Sequence, residues 1–105
     1  MSDTLARLEA AIRQRRGASP EESYVAKLHA RGLAKIAQKL GEEATEAVIA
    51  ALAEDEAELV GEAADLLFHL LVLLDAKGVT LARVLAELDR REGTSGLAEK
   101  AARSQ

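Results

Sequence analysis

The stretch from residue 56 to residue 77 restricts the possible folds of this chain more than any other part of the sequence. It has the length of a helix, and apolar side chains cover nearly its whole circumference. A helix that is apolar on almost all sides is buried within a protein or an assembly. A step of about 100° per residue leaves one narrow polar seam, which contains Glu58, Glu62, Asp65 and His69. Because buried carboxylates are costly unless they are paired or bound to a metal ion, this seam indicates a specific site.

Residues 35–54 predict a second long helix, and it carries a similar acidic pair. Glu43 and Glu46 are three residues apart, as are Glu62 and Asp65, and this spacing places both members of a pair on one helix face. Glu43 falls almost on the apolar stripe of its helix, and Glu46 lies at the edge of that stripe. Two facing pairs would surround a hard cation such as Mg²⁺ or Mn²⁺ with the oxygen ligands that these ions prefer.

A solvated helix surface is the simpler interpretation of the same acidic residues. Glutamate is a good helix former, and charged helix positions are usually exposed. Three features favour a site instead. The seam is one residue wide, it is nearly all acidic where a solvated stripe usually mixes signs, and the same spacing occurs on both helices.

Composition argues against several classes of function. The chain has 105 residues, a net charge of −4 and no basic run, which argues against a nucleic-acid surface. Tyr24 and Phe68 are its only aromatic residues, too few for the stacking surface that single strands need. The absence of cysteine excludes disulfides, cysteine-ligated zinc and a thiol nucleophile. No apolar run has the length of a membrane span and the N-terminus does not resemble a secretory signal, so we expect a cytoplasmic protein with no membrane partner.

The remaining sequence predicts shorter helices around the two long ones. These helices are expected over residues 4–16, 20–31, 81–91 and 97–104. Ser19 is the predicted N-cap of the second of them and Gly32 its end, while Thr80 is the predicted cap of the third. Gly41 lies inside the first long helix, where it costs roughly 1 kcal/mol relative to alanine. We therefore expect another group to pack closely against the backbone there.

The predicted fold class is all-α, because no segment shows the alternation of a strand. Residues 1–105 are expected to form one domain, near the common domain size. With about five helices, the chain is too small to bury its most apolar helix by itself. We therefore predict an obligate homodimer in which the two long central helices of each copy form a four-helix bundle.

Two acidic motifs carry a family resemblance. Glu42-Glu43-Ala44-Thr45-Glu46 and Glu62-Ala63-Ala64-Asp65 resemble the signature of the MazG-related all-α nucleotide pyrophosphohydrolases. Within that superfamily the chain resembles the phosphoribosyl-ATP pyrophosphatase family of histidine biosynthesis, through residues 23–28, 35–43, 65–71 and 91–96. The resemblance covers nearly the whole chain, and the acidic positions show no departure from the family's pattern.

The resemblance implies a Mg²⁺-dependent hydrolase that converts 1-(5-phosphoribosyl)-ATP into 1-(5-phosphoribosyl)-AMP and pyrophosphate, the second step of histidine biosynthesis. Divalent ions neutralise the charge of a polyphosphate and lower the pKa of bound water. The expected metal ligands are Glu43, Glu46, Glu62 and Asp65, and Glu42 is the candidate for the catalytic group that orients water. The candidates for substrate binding are Lys27, Lys35 and Lys39 at the phosphate oxygens, and Arg91 and Ser95 at the phosphoribosyl end.

Other functions are open at this point. A house-cleaning pyrophosphatase of abnormal nucleoside triphosphates would carry the same acidic residues. A non-catalytic helical dimerisation module would keep its fold after loss of the carboxylates. A di-iron bundle needs Glu-x-x-His on two helices, and His69 has Leu66 three residues before it, so this class is disfavoured. A lone histidine in a leucine-rich helix is more often a hydrogen-bonded structural group than a substrate contact.

Overall fold

The computed structural model describes residues 3–93 and 96–103, and these residues form six helices and no strand. The helices are α1 (Thr4–Arg15), α2 (Tyr24–Arg31), α3 (Leu33–Leu52), α4 (Glu56–Ala76), α5 (Leu81–Arg91) and α6 (Gly96–Arg103). The all-α fold class predicted from the sequence is confirmed, and each of the six helices overlaps one of the predicted helical segments.

The two long helices, α3 and α4, pack against each other as an antiparallel hairpin. The short connection between them reverses the chain at Glu54, which has a φ of 62°. The Asp55 side chain then caps α4 by accepting a hydrogen bond from the Glu58 N–H at 3.0 Å. Such a cap satisfies a donor that the helix would otherwise leave unpaired, and its charge suits the helix dipole. At its other end α4 stops just before Gly78, whose φ of 69° is a backbone conformation that glycine favours.

Helices α1 and α2 cover one end of this hairpin and build the core there. Helix α1 packs against α4, and α2 packs against α3. The buried apolar residues of the core are Ile12, Val25, Leu28, Ile36, Leu71, Val72 and Leu81. They come from α1, α2, the first turn of α3, the last turns of α4 and the start of α5. The core therefore lies at the end of the hairpin that is far from the α3–α4 turn.

The end of the hairpin next to the turn is largely uncovered by the described residues. Its exposed apolar side chains are Val48, Ile49, Leu52 and Val60. A homodimeric four-helix bundle would bury this surface, and it stays a prediction. Within the described part of the chain, no helix combines the length and the apolar character that crossing a membrane requires.

Helix α2 begins later than the sequence predicted. Ser19 does not cap it, because the Ser19 carbonyl accepts hydrogen bonds from the Glu22 and Ser23 N–H groups, at 2.9 and 3.0 Å, and closes a turn. Ser23 has an extended backbone, and its side chain accepts a hydrogen bond from the Ala26 N–H at 3.2 Å. Both serines have the chemistry of an N-cap, but the extended backbone at Ser23 separates the turn at Pro20 from the helix.

Two further expectations have different outcomes. Thr80 caps α5 as predicted, by accepting a hydrogen bond from the Arg83 N–H at 3.3 Å. The expectation for Gly41 is wrong among the described residues, since no atom lies within 4 Å of a side-chain carbon built there. Gly41 is exposed, so the single chain gives no packing reason for a glycine in the middle of α3.

Candidate active site

The α3–α4 hairpin brings three of the predicted metal ligands together. Glu43 on α3 and Glu62 and Asp65 on α4 each offer one carboxylate oxygen, and these oxygens all lie within 4.8 Å of one another. Glu46 is close to the same group, because it contributes to the raised pKa values of Glu43 and Glu62. We refer to Glu43, Glu46, Glu62 and Asp65 as the acidic cluster.

The position of the turn explains why these residues meet. In an antiparallel hairpin, residues at equal distances from the turn lie opposite each other. Glu43 and Asp65 are each eleven residues from Glu54, and Glu46 and Glu62 are each eight residues from it. Glu54 is the residue with positive φ in the turn. This equal spacing is a signal in the sequence that predicts the facing pairs once the turn is placed.

The acidic cluster is buried on one side and open on the other. Glu43 has only 8% of its surface exposed, Glu62 is half-buried, and Asp65 is exposed. Oε2 of Glu43 and Oε2 of Glu62 are both buried, and neither accepts a hydrogen bond from a described donor. A buried acceptor without a donor is costly, so these two oxygens require a proton or a cation.

Burial and mutual repulsion raise two pKa values in the acidic cluster. The pKa of Glu62 is raised to about 7, because burial removes water from its carboxylate, Glu46 shares a hydrogen bond with it and the neighbouring carboxylates repel its charge. The pKa of Glu43 is raised by burial first, then by a hydrogen bond with Glu46 and by the nearby negative charges. Carboxylates that shift one another's pKa in this way are common in functional sites.

The residues of the acidic cluster fit a divalent cation. Mg²⁺ binds carboxylate oxygens at about 2.0–2.1 Å, so two oxygens on one ion can be roughly 4 Å apart. The three oxygens, all within 4.8 Å of one another, are close to this spacing. The donor set contains only oxygen, which suits hard cations. The two orphaned Oε2 atoms are the acceptors that such an ion would satisfy.

Glu42 lies outside this group, on the exposed side of α3. Its carboxylate accepts a hydrogen bond from Gln38 Nε2 at 2.8 Å, and Lys39 Nζ is 3.4 Å from it. These two contacts lower the pKa of Glu42, which keeps its carboxylate ionised. The pKa of Lys39 is raised by its hydrogen bond with Glu42 and further by Tyr24 and Glu43. Lys39 is therefore near both Glu42 and the acidic cluster.

The other predicted substrate-binding residues are spread over α2, α3 and α5, and one lies outside the described residues. Lys35 is half-buried on α3, and its positive charge acts on Glu42. Lys27 is on the exposed side of α2. On α5, Arg91 Nε donates a hydrogen bond at 2.9 Å to a glutamate one turn earlier. Ser95 lies outside the described residues.

Sequence reasoning missed one contact at the edge of the acidic cluster. The hydroxyl of Tyr24, the first residue of α2, is 3.0 Å from His69 Nε2 on α4. His69 Nδ1 is 2.8 Å from the Asp65 carbonyl oxygen, which can only accept, so Nδ1 donates. In the corresponding tautomer, Nε2 accepts from Tyr24. His69 is buried, in agreement with its interpretation as a hydrogen-bonded structural group. Tyr24 and His69 are 45 residues apart, and no sequence motif links them.

The fold and the acidic cluster define the class of protein: two long antiparallel helices present carboxylates to each other, as expected for an all-α nucleotide pyrophosphohydrolase. The model of a family described as phosphoribosyl-ATP pyrophosphohydrolase matches residues 5–92. The chain belongs to this family, and the prediction that it is a hydrolase is confirmed.

Relatives with the same description cover nearly the whole chain. The chain is 72% identical to the phosphoribosyl-ATP pyrophosphatase of Novosphingobium aromaticivorans over 97% of its own length and 95% of that protein. It is 68% identical to the phosphoribosyl-ATP pyrophosphatase of Erythrobacter litoralis, over 96% of this chain and 97% of the relative. The identity is also 68% with the protein of the same name from Rhizorhabdus wittichii, over 98% and 97% of the two lengths.

Proposed function

We propose that this protein hydrolyses 1-(5-phosphoribosyl)-ATP to 1-(5-phosphoribosyl)-AMP and pyrophosphate in the cytoplasm, as the second step of histidine biosynthesis. The observation that carries the proposal is the group of carboxylate oxygens within 4.8 Å on facing helices. The names of the relatives, phosphoribosyl-ATP pyrophosphatases with 68–72% identity, support the choice of substrate. We expect neither nucleic acid nor membrane as a partner.

The proposal includes a divalent ion, Mg²⁺ or alternatively Mn²⁺, held by the acidic cluster. Two buried oxygens without a donor and a raised pKa at Glu62 and Glu43 support this assignment. Such an ion supplies charge neutralisation for the polyphosphate and makes water more acidic. Glu43 and Glu62 hold the buried side of the site. Asp65 and Glu46, which are exposed, complete its open side, where the polyphosphate enters.

The remaining residues bind and orient the reacting groups. The lowered pKa of Glu42 keeps an ionised acceptor beside the cluster, and this acceptor orients the attacking water. Lys39 is within reach of Glu42, and its positive charge acts on Glu43 of the cluster. Lys39, Lys35 and Lys27 are assigned to the phosphate oxygens. In hydrolysis of a phosphoric anhydride, such positioning and charge stabilisation supply most of the catalysis. Arg91 and Ser95 are assigned to the phosphoribosyl end.

The proposed active form is a homodimer with a four-helix bundle. The uncovered end of the α3–α4 hairpin exposes several apolar side chains, and a second copy would bury them against the equivalent helices. This arrangement places the two acidic clusters on one bundle.

Pyrophosphate release in the presence of Mg²⁺ tests the proposed function. We would compare phosphoribosyl-ATP with ATP, dUTP and dCTP, and use a chelator in place of Mg²⁺ as the control. We expect a preference of at least about a hundredfold in kcat/KM for phosphoribosyl-ATP, because a site built for the second ribose leaves polar groups unpaired with the other substrates. Equal turnover of the plain triphosphates would reassign the protein to the house-cleaning class. No turnover by a folded protein would support the non-catalytic dimerisation module.

A further inference from the structure

A cavity of about 270 Å³ lies where the α1–α2 turn meets α2 and α4. Its lining residues are Arg15, Ala18, Glu22, Ser23, Tyr24, Val25 and Phe68. Tyr24 and Phe68 are the only phenylalanine, tyrosine or tryptophan residues of the chain, and both border this cavity. Pockets for ligands of drug size occupy about 300–1,000 Å³, so this one suits a part of a nucleotide rather than the whole molecule.

The aromatic wall of the cavity is held in place by several contacts. The Tyr24 ring is stacked on Phe68, with ring centroids 6.0 Å apart and an interplanar angle of 25°. The His69 ring stands at 86° to Phe68 at 5.1 Å, and its Nε2 accepts the Tyr24 hydroxyl hydrogen. His69 is buried and fixed in turn by its hydrogen bond to the Asp65 carbonyl. These contacts position the Tyr24 ring at the cavity, although 47% of Tyr24 is exposed.

Tyr24 also connects the cavity to the acidic cluster. Its partner His69 is hydrogen-bonded to the backbone of Asp65, one turn away on α4. On α3, the pKa of Lys39 is raised first by Glu42 and then by Tyr24, which places the tyrosine near the lysine that we assign to phosphate. A molecule with its polyphosphate at the cluster thus has the cavity as its neighbouring site.

The polar groups of the cavity include a donor and an acceptor, as one edge of adenine does. Adenine presents an acceptor, N7, beside a donor, its exocyclic amino group. Arg15 can only donate hydrogen bonds and the Glu22 carboxylate can accept them, and both line the cavity. In the proposed substrate a ribose occupies N1, on the other edge of the base. Substitution at N1 makes the ring cationic at neutral pH, which favours contact with Glu22 and with an aromatic face.

We propose that this cavity binds the adenine ring of the nucleotide, with Tyr24 and Phe68 against the base and His69 as the positioning residue for Tyr24. The N1 ribose then lies outside the cavity. The choice of nucleotide rests on the proposed function, while the binding of a purine can be measured without turnover.

Proton NMR of the metal-free protein tests the binding of the base. The single tyrosine and the single phenylalanine give resolved ring signals. The probe is 1-methyladenosine 5′-monophosphate, with ribose 5-phosphate as the control without a base and GMP as the control with another purine. We expect ring-current shifts of Tyr24 and Phe68 with the first probe, weaker ones with GMP and none with ribose 5-phosphate. Unchanged ring signals with 1-methyladenosine 5′-monophosphate would overturn the proposal.

Two variants test the same cavity in turnover. Phe68→Leu removes an aromatic face and should raise the KM for phosphoribosyl-ATP about tenfold, within the usual range for a stacked base, with little change in kcat. Arg15→Gln is an exposed change that should keep the fold and raise the KM severalfold. Arg7→Gln, on the same helix but outside the cavity lining, is the matched control and should leave the KM unchanged. If the KM is unchanged in both single variants, Arg15→Gln and Phe68→Leu, the proposal is overturned.

The failures of the two proposals differ. A protein that shows the ring-current shifts but releases no pyrophosphate would reject the proposed function and keep the purine cavity. A protein that turns over phosphoribosyl-ATP normally, with ring signals that do not respond to the probe, would keep the function and reject the cavity.

Tyr24→Phe gives a third readout: it should lose the His69 contact but retain the ring, so the ring-current shifts should weaken without disappearing. Unaltered shifts in Tyr24→Phe would reject the positioning role of His69.

Discussion

The two ends of the α3–α4 hairpin have opposite surroundings. Far from the turn, α1 and α2 cover the hairpin, and Leu71 is 4% exposed. Next to the turn, the described residues leave the hairpin largely uncovered, and Leu52 is 79% exposed. Both side chains are leucines on the same hairpin. The difference between them therefore comes from what the single chain places around them and not from their own chemistry.

The acidic cluster lies between these two ends, near the middle of both helices. The turn at Glu54 sets which carboxylates lie opposite each other, and the packing of α1 and α2 holds α3 and α4 together at the covered end. The end next to the turn leaves its apolar surface exposed in the single chain. A single chain therefore brings the carboxylates together, but its described residues do not bury the end of the hairpin next to the turn.

Replacing Glu62 by glutamine should have the largest effect, because it removes a carboxylate that we propose as a metal ligand. We expect pyrophosphate release to fall at least about a hundredfold, since charge stabilisation dominates this chemistry. Mg²⁺ should raise the Tm of the unaltered protein by binding the native state; at ten times its Kd the gain is about 1.4 kcal/mol, or roughly 5–10 °C in a domain of this size. The variant should lose this shift while keeping its helicity.

The matched control is Glu56→Gln, which makes the same change in the first turn of α4. Glu56 is exposed and lies outside the acidic cluster, so turnover and the Mg²⁺-dependent Tm shift should both persist. Normal turnover in Glu62→Gln would show that the metal site is assigned to the wrong residues.

Replacing Leu71 and Leu52 by alanine compares the two ends directly. Leu71→Ala removes a buried side chain and leaves a cavity, so the free energy of unfolding should fall by about 2–5 kcal/mol. An exposed position usually changes stability by less than about 0.5 kcal/mol, and Leu52→Ala should do so in dilute protein. If a second copy covers Leu52, its effect should grow with protein concentration. Urea unfolding at several protein concentrations measures both effects. Equal losses of stability in the two variants at every protein concentration would contradict the difference between the two ends.

Replacing Ile49 by glutamate tests the assembly at the uncovered end. Ile49 is exposed in the single chain, so the change should leave the folded chain intact. In the predicted bundle it would place a charge from each copy in an apolar interface, which should raise the dissociation constant of the dimer at least about tenfold. Sedimentation over a range of concentrations measures this. Ala34→Glu, at an exposed position in the first turn of the same helix, is the control, and dissociation in both variants would place the interface elsewhere.

The acidic cluster could be predicted from the sequence because its information is local. The spacing of Glu43 and Glu46, and of Glu62 and Asp65, places each pair on one helix face, and the turn at Glu54 places the pairs opposite each other. The all-α class followed for the same reason, from apolar spacing along each helix. Such patterns need no knowledge of how distant segments meet.

The contact between Tyr24 and His69 could not be predicted, because it depends on how α2 packs against α4. Ser19 and Ser23 show a related difficulty, since both have the chemistry of a helix cap and only the backbone at Ser23 decides between them. The interpretation of Gly41 failed for another reason. A glycine inside a helix does not by itself require a close neighbour, and the described chain provides none within 4 Å of Gly41.

The pH dependence of the metal-free protein should give the smallest effect. It tests whether the crowding of charge in the middle of the hairpin lowers stability. The native pKa of Glu62 is about 7, above its ordinary value of 4.5, so the native state binds this proton more tightly than the unfolded state. Stability should therefore fall as the pH rises from about 4.5 to about 7. The groups around Glu62 are the carboxylates of the acidic cluster, with Lys39 nearby.

In chelator, the Tm should be a few degrees lower at pH 8 than at pH 5.5. Glu62→Gln should flatten this slope, because both proteins keep the same histidines and differ at one carboxyl group. With Mg²⁺ the slope should reverse, since the ion binds the ionised carboxylates. The same slope in both metal-free proteins would mean that the crowding of charge at Glu62 does not limit stability.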